Sequence, residues 1–227
     1  MLEHLNRLDA LRGLSHLQRN AAFAVEVKRV KRWQHLRLAF TYRDLASDKR
    51  FAPATRFFLD ELYGEKETAL RDRDLVRMYP TMKRLLPKFA FETVTNALAL
   101  DVLSEEFDQA LAERLRGREI TNDRYCEAFR DVGRKADRLR QVALMREVGE
   151  GLDVVVKKPL IFSTLKLLRR PSKLAGLAEM QRFLEAGFSA FRHMKGAAPF
   201  LDVIATRETA LIEAIFEGNS VALRPET

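Results

Sequence analysis

Apolar positions along this chain recur at steps of three and four rather than two, so the sequence reads as helix almost throughout. Leu5, Leu8, Leu11, Leu14 and Leu17 step by three, and Phe23, Val27, Val30 and Trp33 continue the stripe. With no proline before Pro53 and only Gly13 before Ala46, this predicts one long helix, or two with a bend near Gly13. Pro53 is placed to open a second helix in its first turn and Gly64 to close it in a left-handed cap. A charged stretch, Glu65 to Asp74, leads into a helix stopped by Pro80. Pro87 opens a long helix to Gly117, with Phe89, Leu100, Leu103, Phe107 and Leu111 in one arc. Thr121 is an expected N-cap, supported by Asp123 in the first turn. Tyr125, Phe129, Val132, Ala136, Leu139 and Ala143 then form one core-facing stripe. Pro159 and Pro171 bracket a short helix. Ser172–Lys195 sets Leu177, Met180, Leu184, Phe188 and Phe191 along one side, and the last helix runs from Pro199 to Gly218. No stretch sustains the strict alternation of a strand. The expected fold is all-α: one multi-helix bundle of roughly eight to ten helices. It should form a single domain over 1–219, followed by a flexible C-terminal tail over 220–227.

Composition narrows the class. Apolar residues make up 47% and charged residues 32%, a globular balance. The single Cys126 excludes an intramolecular disulfide framework and fits a reducing compartment. No apolar run reaches the ~18–20 residues of a spanning helix. The opening Met1–Arg7 mixes charges and does not read as a signal peptide. A cytoplasmic location is expected, with the inner membrane face as a peripheral site.

Charge is unevenly spread. Of a net +8, six positive charges fall in Val154–Ala178, which holds no acidic residue: Lys157, Lys158, Lys166, Arg169, Arg170 and Lys173. On a helical wheel Leu160, Ile161, Thr164, Leu165, Leu167 and Leu168 fill one arc. Lys166, Arg169, Arg170 and Lys173 fill the other, with Phe162 among them. Such a basic amphipathic segment suits an anionic membrane surface or an acidic protein. It also suits a short bundle helix with solvated Lys and Arg stems, or a homodimer seam through 160–168. A second basic face, Lys28, Lys31, Arg32 and His35, reads as a solvated helix face with Trp33 nearby, and nucleic acid is not an expected partner.

Few constellations carry chemistry. The residues three before His4, His16, His35 and His193 are Met1, Gly13, Arg32 and Ala190, so no carboxylate-x-x-His metal pair exists. Asp101, Glu105 and Asp108 share a helix face, expected to be solvated. His193 lies off its apolar stripe and is expected to be exposed rather than a haem ligand. Cys126 reads as a packing residue. Neither a nucleophile elbow nor a phosphate loop is present. No catalytic residue, metal site or cofactor is assigned, and an enzyme is not the leading expectation.

Phe57-Phe58-Leu59-Asp60-Glu61-Leu62-Tyr63-Gly64, followed by Arg71-Asp72, Arg77, Pro80 and Leu85-Leu86-Pro87, resembles a family of bacterial helical proteins sharing an FFL-x-x-LYG motif and an Arg-Asp pair. Thr68 and Leu70 depart from that pattern. The resemblance implies a helical fold and carries no activity with it. Physically, Phe57, Phe58 and Leu62 should pack the second helix inward while Tyr63 closes its end. Two functions follow from the sequence. The first is a non-enzymatic binding protein whose segment 157–173 contacts an anionic partner such as the inner membrane surface. The alternative is a small-ligand binder or enzyme with an interhelical pocket near Tyr63, Arg71 and Asp72.

Overall fold

The apolar stripes do fold into helices, and no strand occurs among the described residues. The computed structural model describes residues 1–12, 21–62, 74–76, 79–80, 82–84, 86–158, 161, 163, 166–167, 170, 176–219 and 223. In chain order the elements are α1 (Leu2–Arg12), α2 (Ala21–Thr41), α3 (Arg43–Ser47) and α4 (Ala52–Phe57), which runs into a π-helical turn (Phe58–Leu62). Then come α5 (Lys88–Arg114), α6 (Asn122–Val132), α7 (Lys135–Val156), α8 (Ala178–Met194) and α9 (Ala198–Phe216). The punctuation residues act as their chemistry requires. Pro53 and Pro199 lie in the first turns of α4 and α9, and Thr121 accepts a hydrogen bond from the Arg124 amide at 3.3 Å.

The centre of the bundle is α5, which packs against α1, α2, α6 and α7, while α9 lies along α7 and α8 packs on α4. Two glycines let α7 approach its neighbours. A Cβ on Gly151 would sit 2.2 Å from the Thr93 hydroxyl of α5, and one on Gly149 would sit 2.4 Å from Leu201 of α9. Three apolar clusters result. One joins Val30 and Trp33 of α2 to Leu111, Tyr125, Phe129 and Ile215, and holds Leu223 as well. A second joins Phe57 to Phe188, Phe191, Phe200 and Leu201. A third seats Leu5 and Leu8 of α1 against Leu98 and Val102 of α5.

Several elements depart from the expected pattern. The stripe over Tyr125–Ala143 is not one helix: Gly133 (φ 67°) and Arg134 (φ 60°) turn left-handed and separate α6 from α7. Ala136 is exposed as a result, and Arg138 is buried in its stead. Pro80 is itself helical, and Met82–Arg84 are helical as well. Helix α8 begins at Ala178 rather than at 172, and its Leu184 faces outward. None of the described helices is long and apolar enough to cross a membrane.

Candidate functional site

The inward stripe of α2 changes character as it proceeds. Val27 and Val30 are succeeded at the same three- and four-residue steps by Gln34 and Arg37, both buried. Their counterparts come from three other helices: Asp108 of α5, Tyr125 of α6 and Glu208 of α9. Arg37 Nη1 donates to Glu208 Oε1 at 2.5 Å, and the Tyr42 hydroxyl donates to the same oxygen at 2.6 Å. Glu208 is thereby held by a cation and a phenol. Gln34 donates to the Tyr125 hydroxyl at 3.2 Å and also bonds the Asp108 carboxylate. Burial drives the Tyr125 phenol above its ordinary pKa, and Trp33 stacks on its ring at 4.1 Å between centroids.

The carboxylates of α5 are not a solvated face, contrary to expectation. Glu105 is 2% exposed and takes hydrogen bonds from Arg12 Nε at 2.8 Å and Lys31 Nζ at 2.6 Å. Arg12 also grips Asp101 with both terminal nitrogens. Burial works against the Glu105 anion, but Lys31 and Arg12 outweigh it and hold its pKa down to about 2. One turn on, Asp108 is only 3.8 Å from Lys31, whose ammonium Glu105 already engages. Burial dominates here, and the Asp108 pKa is pushed up to about 6. Three residues apart on one helix, one carboxyl is locked as an anion and the other is poised near neutrality.

Arg138 completes the layer from α7. Its guanidinium lies between the rings of Phe107 and Phe129, with Cζ 3.5 and 4.0 Å from their centroids. Its Nε and Nη2 are buried without a hydrogen-bond partner, and none of the ion pairs among the described residues includes it. Burial lowers its pKa to about 10, so it remains a cation at neutral pH. Two aromatic faces stabilise such a cation, but they leave its N–H donors unsatisfied.

Arg138 and Asp108, with the Gln34, Arg37, Tyr42, Tyr125 and Glu208 groups, line one interior cavity of about 120 Å³. On its polar side stand Gln34, Arg37, Asp108, Tyr125, Arg138 and Glu208; Leu59, Phe58, Val142, Met145, Phe200 and Ile204 form the apolar side. Phe58 and Leu59 belong to the π-helical turn, an irregularity frequent at functional sites. The arrangement offers an open donor set to an anion and an apolar wall to whatever carries it. Among the described residues no group of three or more His, Cys, Asp or Glu is placed to hold a metal ion.

A match to the domain of unknown function DUF8198 spans residues 14–222. The chain belongs to that family. Comparison with curated proteins and with solved structures gave no match. The family match covers every residue of the cavity wall and the motif that contributes Phe58 and Leu59.

Of the residues singled out in the sequence, Tyr63, Arg71 and Asp72 lie outside the described residues, as do Arg169 and Lys173. Lys157, Lys158, Lys166 and Arg170 are exposed, and Lys157 pairs with Asp153 at 2.6 Å. Leu167, assigned to the apolar arc, is 79% exposed, whereas Ile161 packs against the second cluster. Lys31 leaves the supposed basic face for Glu105, and Trp33 is buried. Cys126 is a buried packing residue and His193 is exposed, as expected.

Arg37, Arg138 and Glu208 were not among the residues that stood out in the sequence. Each carried a signal. Arg37 extends the Val27–Val30–Gln34 register, and Glu208 interrupts the stripe Leu201–Ile204–Leu211–Ile215 of α9. Arg138 heads the stripe Val142–Met145–Gly149–Leu152–Val156 of α7. Charged residues inside an apolar stripe are costly to bury and so point to a paired or functional role.

Proposed function

We propose that this protein binds a small organic anion in the cavity between α2, α5, α6, α7 and α9. The observation that carries this reading is Arg138, a buried guanidinium at the cavity wall whose Nε and Nη2 have no partner. A structural arginine at such depth is normally paired, because an uncompensated buried charge costs several kcal/mol. Within the same polar layer Arg37 is already matched with Glu208. An anion entering the cavity would meet donors that nothing else uses. The size is appropriate to a small molecule, since an apolar cavity of ~150 Å³ accommodates benzene. Thermal unfolding against a panel of small carboxylates, sulfonates and phosphates tests the reading. A ligand at a hundred times its Kd should add about 2.7 kcal/mol of stability. Arg138→Met should abolish that gain; a full panel without any shift would remove the proposal.

A second reading rests on the exposed surface after α7. Leu167 projects 79% exposed beside Lys166 and Arg170, both exposed, and Lys157 and Lys158 precede them. An apolar side chain among cations suits the anionic headgroup boundary of the inner membrane face, where each basic residue contributes ~1 kcal/mol. Co-sedimentation with phosphatidylserine vesicles should then exceed that with neutral vesicles and weaken with salt. Lys166→Glu with Arg170→Glu should remove it. A shift to dimer in solution without vesicle binding would instead assign the 160–168 segment to self-association.

A further inference from the structure

We propose that the cavity takes a small monocarboxylic acid together with its proton, the carboxylate against Arg138 and the proton on Asp108. The proposal rests on the anion-binding reading above and names its ligand class and its coupling to protons. Four ionisable side chains with formal charge at neutral pH line the cavity: Arg37, Arg138, Asp108 and Glu208. Glu208 is committed to Arg37 and the Tyr42 hydroxyl. Arg138 and Asp108 are left facing one interior, and no ion pair joins them. With Asp108 ionised the cavity is formally neutral, and an incoming carboxylate would leave it with a buried negative charge. A proton on Asp108 restores neutrality, so the acid arrives in net terms as its neutral form: its carboxylate from solution, its proton from water.

The surroundings of Asp108 fit that role. From α2 it faces Lys31, 3.8 Å away, and the Gln34 amide. On its own helix it faces Glu105, whose charge disfavours a second anion, and α6 and α7 contribute Tyr125 and Arg138. Lys31 is bound to Glu105 at 2.6 Å and so is only partly available to Asp108. Burial already raises the Asp108 pKa to about 6, and the negative charge of a carboxylate bound beside it would raise it further, which keeps it protonated in the complex at neutral pH. The carboxylate class follows from the walls. One cation without a partner matches one negative charge, and Phe58, Phe200 and Ile204 would surround an apolar body rather than the further oxygens of a phosphate.

The test is calorimetric titration of the full chain with benzoate and with hexanoate at pH 7.5, in buffers of differing ionisation enthalpy. Inorganic phosphate and benzamide serve as comparison titrants. The expected result is uptake of close to one proton per carboxylate bound. Affinity should weaken about tenfold for each pH unit above about 7 and level off below about 6. In Asp108→Asn the proton uptake should vanish and the pH dependence flatten. If that variant does not fold, the buffer dependence of the native protein decides alone. Carboxylate binding without proton uptake would overturn the coupling and leave the anion-binding function standing. Phosphate binding without carboxylate binding would overturn the ligand class, and failure of every anion would remove both proposals.

Discussion

Arg138 and Asp108 are the residues at which this fold departs from what stability alone would select. A guanidinium with two unbonded nitrogens between Phe107 and Phe129 forgoes hydrogen bonds that an exposed arginine would make with water. Arg138→Met keeps much of the volume and removes the buried charge. Its unfolding free energy should stay within about 1 kcal/mol of the native value or exceed it, as replacements of buried charges by apolar residues often do. Chemical denaturation measures this, and a loss of several kcal/mol would make Arg138 a structural residue instead. Asp108 behaves oppositely to an ordinary paired carboxylate. Its folded pKa is raised, so the native state binds the proton more tightly than the unfolded chain does. Stability from this group is therefore greatest below the ordinary aspartate range and declines as pH rises to about 6. A displacement of about two units corresponds to at most about 3 kcal/mol. Asp108→Asn should raise the Tm at pH 7–8 and flatten its slope between pH 4 and 6, which a pH series of thermal melts would read. Glu105 has the reverse sign: its ion pairs stabilise above the ordinary glutamate range and are lost as pH falls toward about 2.

At the scale of elements, helix starts and stops were legible because they depend on local backbone chemistry. Pro53, Pro87, Thr121 and Pro199 each stand at a helix N-terminus as their geometry requires. The junction at Gly133–Arg134 was not legible, and the cost was larger than one boundary. Treated as continuous, α6 and α7 put Ala136, Leu139 and Ala143 in the core. The left-handed pair resets the phase: Ala136 is exposed, Leu139 still packs against the first cluster, and Arg138, Val142 and Met145 line the cavity. Arg134 can hold φ 60° because its side chain is anchored to Asp137 at 2.7 Å and Glu106 at 3.0 Å, contacts that periodicity does not reveal. The glycines of α7 were equally silent. Gly151→Ala would drive a methyl group into Thr93, a short branched side chain that cannot swing away. It should destabilise the protein by about 1–3 kcal/mol despite alanine's better helix propensity. Urea unfolding would show it, and an unchanged midpoint would mean that α5 and α7 can slide apart at no cost.

For the molecule as a whole, the all-α class followed from periodicity, whereas the candidate site did not. Its polar groups come from α2, α5, α6, α7 and α9, and none has a partner within four residues that would make a motif. Asp108 and Glu105 looked like one turn of a solvated acidic face. Only the arrival of Lys31 and Arg12 from distant helices distinguishes them. The excess charge, by contrast, was visible at once because it lies in one continuous segment. The charges that line the cavity balance in number, whereas Lys157, Lys158, Lys166 and Arg170 of the surplus are exposed.

The chain contains a single tryptophan, and it is stacked on Tyr125, one of the two tyrosines that line the cavity. Trp33 itself is buried in the apolar cluster beside it. Emission from this protein is thus a one-channel optical gauge of the cavity's interior, insensitive to the exposed basic segment. Filling the space beside Tyr125 should change the intensity of that emission, whereas vesicle binding through Leu167 should leave it unaltered. One cuvette would then separate an event inside the bundle from an event on its surface, with no label added.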